Sequence, residues 1–307
     1  MALGVLLQGQ RIEVQFEDNE GTRKGMKVLA GIVLFKPDIA RLKDNITAIR
    51  DQVDEIVLVD NGSDNLDDVK AIFGDEVKYI ENGENLGIAA ALNKMMDYGL
   101  ENGFQWVVTL DQDSVCNPGL VDEYKKFADI PDAGMITCRI MDRNTTGDEI
   151  GEEQEEDCRE IKRCITSASF CSVKAYRSVG PYDEWMFIDW VDFEYCARLR
   201  KNGYKIYRVN FVGMIHEIGH GRNVRLIREQ IFHNHSAFRQ YYIARNRLYV
   251  AYNYPEEYSL LRERWHILVD VLLITFYGDN KREKIKAMSR GVSDFKKFRK
   301  EHQKQER

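Results

Sequence analysis

Short apolar runs alternate with amphipathic stretches through the first half of the chain. Residues 27–35 (KVLAGIVLF), 55–60 (EIVLVD) and 106–110 (WVVTL) show no polar alternation, which is typical of strands buried on both faces of a parallel sheet. Between these runs, apolar residues recur at helical spacing, as they do over residues 39–53. This order predicts a mostly parallel α/β sheet with right-handed connections and flanking helices.

The second half of the chain has a different pattern. Shorter strand-like runs continue to about residue 211, and helical spacing dominates from residue 229 onward. The natural first strand starts just after Met26, so residues 1–25 are interpreted as a leader or an upstream extension. The sequence therefore predicts an α/β domain over residues 26–228 and a C-terminal helical region over residues 229–307.

Composition narrows the classes of function. The 307 residues carry a net charge of −6, so we expect no nucleic-acid partner. Lys and Arg crowd residues 281–307, a pattern that suits contact with an anionic surface. The six cysteines include no C-x-x-C pair, which favours a reduced, cytoplasmic protein. No run of the sequence reaches the roughly 18 apolar residues of a membrane span.

Polar side chains follow the predicted strands of the first half. Asp60 and Asn61 end one apolar run, and Asp111 and Asp113 end another. In open α/β sheets, ligands bind at the carboxyl edge where such residues gather. An Asp-x-Asp pair at this edge can hold a divalent cation together with substrate phosphates, although a capped turn has the same signature.

A second polar turn precedes an alanine-rich stretch at residues 84–93 (ENLGIAAALN). Its small residues allow a ligand to approach closely, and a helix N-terminus favours a negatively charged group such as phosphate. A capped helix that only packs against the sheet has the same pattern. Within this segment, Asn85, Gly87 and Asn93 are the candidate ligand-binding residues.

The second half adds a candidate base and a candidate metal ligand. Asp189 and Asp192 lie in an aromatic segment, where a partly dry carboxylate can act as a general base, although acidic residues also stabilise the start of a helix. His216 follows a predicted strand and would ligate a transition metal if the fold brought it near Asp113. Neither a dinucleotide fingerprint nor a phosphate-loop motif is present in the sequence.

Taken together, these motifs resemble those of family 2 glycosyltransferases. The matching pieces are VDNGSD at 59–64, ENLGIAAALN at 84–93, LDQDS at 110–114, FIDWVDFEYCARLRKNGYKI at 187–206, and His216. The segments FIDWVDFEYC and YYIARNR (241–247) are similar to those of the bacterial rhamnosyltransferases in this family. The resemblance extends to about Tyr252.

The resemblance implies a glycosyltransferase A-type, Rossmann-like fold and inverting transfer from a nucleotide sugar, with dTDP-L-rhamnose as the expected donor. It assigns Asp60 to the nucleotide base, Asp111 to the ribose and metal, and Asp113 and His216 to Mg²⁺ or Mn²⁺ on the diphosphate. The family's usual Glu-Asp pair is Val191-Asp192 here. The catalytic base is therefore carried over to Asp192, with Asp189 as the second candidate.

The expected acceptor is a hydroxyl of a cell-surface glycan that is still attached to its lipid carrier. The enzyme would then work in the cytoplasm at the inner face of the membrane, with the C-terminal helices contacting the membrane or a second copy of the chain. Three alternatives stay open: another donor such as UDP-glucose or UDP-galactofuranose, a sugar nucleotidyltransferase, and a non-catalytic glycan-assembly protein. The stretch after the first strand, FKPD (35–38), lacks the glycine-rich, basic loop of a nucleotidyltransferase.

Overall fold

A computed structural model describes residues 2–7, 10–15, 25–142, 149–150, 156–216, 221–225 and 229–305. For residues 2–15, 141–150, 215–216, 221–231 and 305, the description is limited to the backbone of the parts named above. The chain divides into two compact units. The first comprises Met1–Glu184 and Tyr195–Glu217, and the second comprises Trp185–Glu194 and Ile218–Arg307.

The first unit is built on one large mixed sheet. Its strands are β1 (Ala2–Leu7), β2 (Gln10–Gln15), β3 (Val28–Leu34), β4 (Glu55–Asp60), β5 (Lys78–Glu81), β6 (Trp106–Asp111), β7 (Val115–Cys116), β8 (Ala133–Asp142), β9 (Glu149–Ile150), β10 (Cys158–Ile161), β11 (Ser169–Ser172) and β12 (Lys205–His216). The strands are ordered β2-β1-β10-β12-β8-β11-β6-β3-β4-β5, with β7 on β12 and β9 on β8.

The helices of the chain are α1 (Ile39–Ile49), α2 (Leu66–Phe73), α3 (Ile88–Glu101), α4 (Leu120–Lys125), α5 (Val173–Val179), α6 (Val191–Lys201), α7 (Ala237–Asn253), α8 (Leu260–Tyr277) and α9 (Lys281–Gln305). Short 3₁₀ turns lie at Arg50–Gln52, Gly74–Glu76 and Glu184–Met186. A small hairpin in the second unit pairs β13 (Gly221–Arg225) with β14 (Glu229–His233).

The predicted parallel half of the sheet is confirmed. Strand β3 pairs in parallel with β4 on one side and β6 on the other, and β4 pairs in parallel with β5. Alternate residues of β3, such as Ile32 and Leu34, belong to one core cluster with α1 and α2. The opposite face of β3 packs against α3, where Met95 lies over Gly31. Burial on both faces explains why the sequence of β3 shows no polar alternation.

Two local predictions were wrong. No strand was predicted before residue 27, but β1 and β2 extend the sheet within residues 1–25. Helical spacing was predicted from residue 229, but residues 229–233 form β14 and α7 begins only at Ala237. The side chain of Ser236 accepts a hydrogen bond from the Arg239 N–H and so caps α7.

The second unit contains a helical cluster. Helix α7 packs along α9, and both contact α8. Their shared core includes Leu248, Ile274 and Phe295, each at most 1% exposed. No helix in the described parts of the chain combines the length and the apolar content that a bilayer crossing requires.

Candidate functional site

The candidate donor-binding residues gather at one edge of the large sheet. In the parallel register, Asp60 at the end of β4 pairs with Leu34, and Asp111 at the end of β6 pairs with Val33. The two aspartates therefore flank the end of β3 on either side, on the order of 10 Å apart at two strand spacings. This is the edge at which open α/β sheets bind ligands.

Asp60 is buried and organises the turn that follows it. Its carboxylate accepts hydrogen bonds from the N–H groups of Gly62, at 2.9 Å, and Ser63, at 3.1 Å. Gly62 has a φ of +79°, and a Cβ built there would lie 2.8 Å from the Cα of Glu84. A side chain at this position would therefore strain the backbone and collide with the neighbouring loop.

Side chains connect the loops that leave the three parallel strands. Gln112 accepts a hydrogen bond from the Phe35 N–H at 2.8 Å, and Ser63 accepts one from the Lys36 N–H at 2.8 Å. The buried Asn61 donates to the Gly87 carbonyl at 3.2 Å. Because each bond joins a different pair of loops, the polar edge is a connected set rather than separate turns.

Hydrogen bonds from neighbouring segments hold the Asp111-Gln112-Asp113 turn in place. The Asp111 carbonyl accepts hydrogen bonds from the Asn45 side chain at 2.7 Å and from the Ser114 N–H at 3.2 Å. The hydroxyls of Ser114 and Ser167 lie 2.6 Å apart, and both residues are buried. These contacts hold the main chain, while the side chains of both aspartates are half-buried at the edge of the sheet.

His216 is brought beside this turn by strand pairing. Strands β7 and β12 are antiparallel, with Ile215 paired to Val115. One further step in the same register sets His216 opposite Ser114, the residue after Asp113. The pairing therefore places the backbone at the end of β12 near the Asp111–Asp113 turn, and the position of the His216 side chain lies outside the described residues.

Helix α3 begins at Ile88, and the residue at its N-cap is Gly87. Gly87 is the N-cap with a φ of +89°, and no side chain caps it. Asn85 instead accepts a hydrogen bond from the Gly87 N–H at 3.0 Å, which shapes the turn before the helix. Asn93 is buried, and its amide binds the Tyr182 main chain and the Glu184 carboxylate, so it also positions the segment 182–184.

In the second unit, the segment that leads to α6 has an unusual backbone. Phe187, Asp189 and Trp190 all have positive φ angles, of 62°, 63° and 68°. Such values are costly for residues with a Cβ and persist only where surrounding contacts enforce them. Asp192 then lies in the first turn of α6.

Three residues of α7 enforce this conformation. The fully buried Asn246 donates through Nδ2 to the carbonyls of Met186, Ile188 and Asp189 at 2.8–2.9 Å. Arg245 donates to the Trp185 and Met186 carbonyls, and its guanidinium lies 3.8 Å from the centre of the Trp185 ring. Arg239 forms an ion pair with the Asp189 carboxylate.

The acidic residues of this segment have different partners. Asp189 is 10% exposed and already accepts two hydrogen bonds from Arg239, which gives it a structural role. Glu194 is buried and accepts a hydrogen bond from the Tyr254 hydroxyl at 2.6 Å. Asp192 is half-buried, and Oδ1 accepts a hydrogen bond from the Phe193 N–H at 2.9 Å. Of the two predicted bases, Asp192 is the one that the geometry favours.

The donor atoms at the sheet edge fit a divalent cation that is shared with a substrate. Among the described side chains, no group of three His, Cys, Asp or Glu residues is close enough to form a complete protein metal centre. Mg²⁺ and similar ions are usually held by one or two carboxylates and by substrate phosphates, which is the type of donor set that Asp111 and Asp113 provide. An imidazole ligand such as His216 would favour Mn²⁺ over Mg²⁺.

Sequence reasoning missed the residues that hold the loops in place. Gln112 and Ser167 at the sheet edge, and Arg239 on α7, were not predicted to act at either site. Arg245 and Asn246 were noted only as part of the YYIARNR segment. Their partners are 57 to 60 positions away in sequence, so no local pattern could reveal the contacts.

Comparison with known proteins identifies the fold and the family. The glycosyl transferase family 2 model matches residues 32–185, half of the chain. This match covers Asp60, Asp111 and Asp113 but ends before Asp189 and Asp192. The dTDP-rhamnosyl transferase RfbF of Shigella flexneri is 28% identical over an alignment of 278 residues, and the match covers 84% of this chain and 92% of that protein.

Solved structures of TarS from S. aureus share the fold. TarS 1–349 in complex with UDP-GlcNAc has a TM-score of 0.54 at 11% identity and covers 88% of this chain and 80% of its own. A second structure of TarS 1–349 also has a TM-score of 0.54, at 10% identity, and the match covers 82% of this chain and 73% of that one. A longer TarS structure scores 0.52 at 12% identity, and 37% of its length is matched. The predicted A-type fold with C-terminal helices is thereby confirmed.

Proposed function

The chain belongs to glycosyl transferase family 2, and we propose that it transfers L-rhamnose from dTDP-L-rhamnose to a hydroxyl of a lipid-linked cell-surface glycan. Transfer of a sugar from a nucleotide sugar follows from the family and from the rhamnosyl transferase relative. The observation that carries the proposal is the register at the sheet edge, which aligns Asp60 and Asp111 on either side of β3.

In this proposal, the sheet edge binds the nucleotide diphosphate. Asp60 contacts the base, with Asn61, Asn85 and Gly87 shaping the turns around it. Asp111 lies near the ribose. Asp113, helped by Asp111 and His216, would hold Mg²⁺ or Mn²⁺. A bound divalent ion would supply positive charge next to the diphosphate as negative charge develops there.

The acceptor is activated by Asp192. Its carboxylate takes the proton from the attacking hydroxyl, the new bond forms between that oxygen and the anomeric carbon, and the bond to the diphosphate breaks. Because attack occurs opposite the leaving group in a single step, the anomeric configuration inverts and no covalent enzyme intermediate is needed. A lipid-linked acceptor would make the enzyme peripheral at the inner face of the membrane, and a homodimer is the alternative use of the C-terminal helices.

The structure weakens the nucleotidyltransferase alternative. In such enzymes a glycine-rich, basic loop after the first strand binds phosphate. Here the N–H groups of Phe35 and Lys36 donate to Gln112 and Ser63 instead. Lys36 also forms an ion pair with Asp64 at 2.9 Å. This loop is therefore used to connect strand ends rather than to bind a triphosphate.

A donor panel tests the proposal. The full chain is incubated with Mn²⁺ and with dTDP-rhamnose, UDP-glucose or UDP-galactofuranose, and nucleotide release is measured with and without a lipid-linked glycan acceptor. We expect acceptor-dependent release from dTDP-rhamnose above the other donors. Release from a UDP-sugar alone would reject the donor, and no release from any donor would favour a non-catalytic protein. A crystal soaked with dTDP-rhamnose and Mn²⁺ would then show the metal ligands and which aspartate faces the anomeric carbon.

A further inference from the structure

The second unit exposes a continuous apolar stripe along α8. Five large side chains recur at helical spacing and are 43–77% exposed: Leu261, Trp265, Leu268, Leu272 and Phe276. The opposite side of the same helix, including Ile267 and Ile274, is buried in the helical core. Large apolar side chains that are exposed singly are ordinary, but a row of five along one helix face is typical of a docking surface.

A basic stripe runs along the neighbouring helix. On α9, the exposed residues at one helical spacing are polar or positively charged: Arg282, Lys286, Ser289, Ser293, Lys296 and Lys300. The helix as a whole carries ten Lys or Arg residues against three Asp or Glu residues. A helix with this balance has a positively charged exposed face.

The two stripes share one surface. An apolar groove of about 520 Å³ between α8 and α9 is lined by Leu268 and Val271 from α8 and by Val292 and Lys296 from α9. Ser289 lines both this groove and a shallow hollow formed by Arg282, Lys286 and Arg290. Apolar and cationic side chains therefore lie on adjoining parts of one surface.

We propose that this surface, the exposed face of α8 with the basic stripe of α9, docks on an anionic lipid membrane. Apolar side chains enter the boundary between headgroups and acyl chains while Lys and Arg contact lipid phosphates, which is how interfacial helices bind. A second copy of the chain fits less well. A two-fold interface uses the same surface on both copies, so this surface would offer the basic stripe no acidic partner. This inference does not depend on the identity of the donor or the acceptor.

Vesicle flotation with the full chain tests the proposal. Vesicles of phosphatidylcholine alone are compared with vesicles that also contain phosphatidylglycerol, at low and physiological salt. We expect binding at least tenfold tighter to the anionic vesicles, weakened by salt. The fluorescence of Trp265 should shift to the blue on binding, and Trp265→Phe should remove that shift. No binding to anionic vesicles at low salt would overturn the proposal.

Two sets of variants separate the contributions. Replacing Lys286, Lys296 and Lys300 with Gln should weaken binding about fivefold for each charge removed, on the order of a hundredfold in total. The matched control replaces the exposed Lys43, Lys94 and Lys174 of the first unit with Gln and should bind as the wild type does. If both sets of variants lose the same vesicle affinity, binding depends on net charge alone and the proposed docking surface is wrong.

The apolar stripe has its own matched pair. Leu268→Ser with Leu272→Ser should abolish the binding that survives at high salt, whereas Ile72→Ser with Leu100→Ser, at exposed apolar positions of the first unit, should not. Light scattering on the same samples tests whether a second copy of the chain covers the stripe instead. If the α8 variants convert a dimer into a monomer and leave vesicle binding unchanged, the stripe is a subunit interface and the membrane proposal is wrong.

Discussion

Replacing Asn246 with Leu should uncouple donor binding from transfer. In the wild type, one buried amide donates to three carbonyls of the segment 186–189. Leu has a similar volume but no donor. An unsatisfied buried carbonyl costs about 1–3 kcal/mol. One of the three bonds is fully buried and two are partly buried, so water can compensate in part. We therefore expect a loss of unfolding free energy of about 3 kcal/mol.

The loop itself would respond to this loss. Three of its residues have positive φ, and each such residue stores about 1 kcal/mol or more. The strain released on relaxation is thus comparable to the bonding that is lost, and the loop should leave its native conformation. A displacement of about 1 Å in a catalytic group can lower turnover a hundredfold. With Asp192 as the base, kcat should fall by about that factor while the dissociation constant for dTDP stays unchanged.

The assay combines urea unfolding, calorimetric dTDP binding and rhamnosyl transfer at a temperature where circular dichroism shows the variant to be folded. Tyr241→Phe is the matched control, because it removes one hydrogen bond of the same helix, to Asp294, without touching the loop. If Asn246→Leu does not fold, Asn246→Ser retains one donor and should show a smaller loss in the same direction. A folded Asn246→Leu variant with a kcat within twofold of wild type would refute the reasoning.

Further changes test the other parts of the site. Asp192→Asn should lower kcat by roughly 10²- to 10⁴-fold without weakening dTDP binding, and a normal transfer rate would exclude it as the base. Asp113→Asn should raise the Mn²⁺ concentration needed for half-maximal turnover. An unchanged Mn²⁺ requirement would show that Asp113 does not ligate the ion. Gly62→Val should weaken dTDP binding and lower the melting temperature, because a Cβ there collides with Glu84; Gly74→Ala, at an open position with positive φ, is the control for backbone strain alone. Burial and the nearby Arg239 lower the pKa of His235 to about 4. As the pH falls from about 6.5 towards 4, His235 becomes protonated in the unfolded chain but not yet in the folded chain. The free energy of unfolding should therefore decrease over this interval, and it should decrease less in His235→Gln.

The polar edge of the sheet could be predicted because its signals are local. Buried parallel strands have uninterrupted apolar sequences, and their carboxyl ends meet at one edge whatever the details of packing. The positions of Asp60 and Asp111 follow from these two facts. Asn85 was assigned to the right turn, but the N-cap of the helix is Gly87, because the sequence does not show which residue first adopts helical dihedrals.

The segment 185–194 could not be predicted to the same depth. Positive φ at Phe187, Asp189 and Trp190 has no signature in residues that ordinarily avoid it. The contacts that impose it come from Asn246 and Arg245, far along the chain. The sequence ranked Asp192 ahead of Asp189 only through the resemblance to the family's Glu-Asp pair, and the ion pair of Asp189 with Arg239 could not be seen in it.

The membership of residues 185–194 in the second unit has a consequence for recombination between relatives. This segment is held by α7, whereas the residues on either side of it belong to the first unit. A chimera joined at one crossover near residue 218 or 228 would combine a loop from one parent with supporting side chains from the other. Exchange of this unit as a working module requires that residues 185–194 and 218–307 come from the same parent, so three junctions rather than one separate the inherited parts.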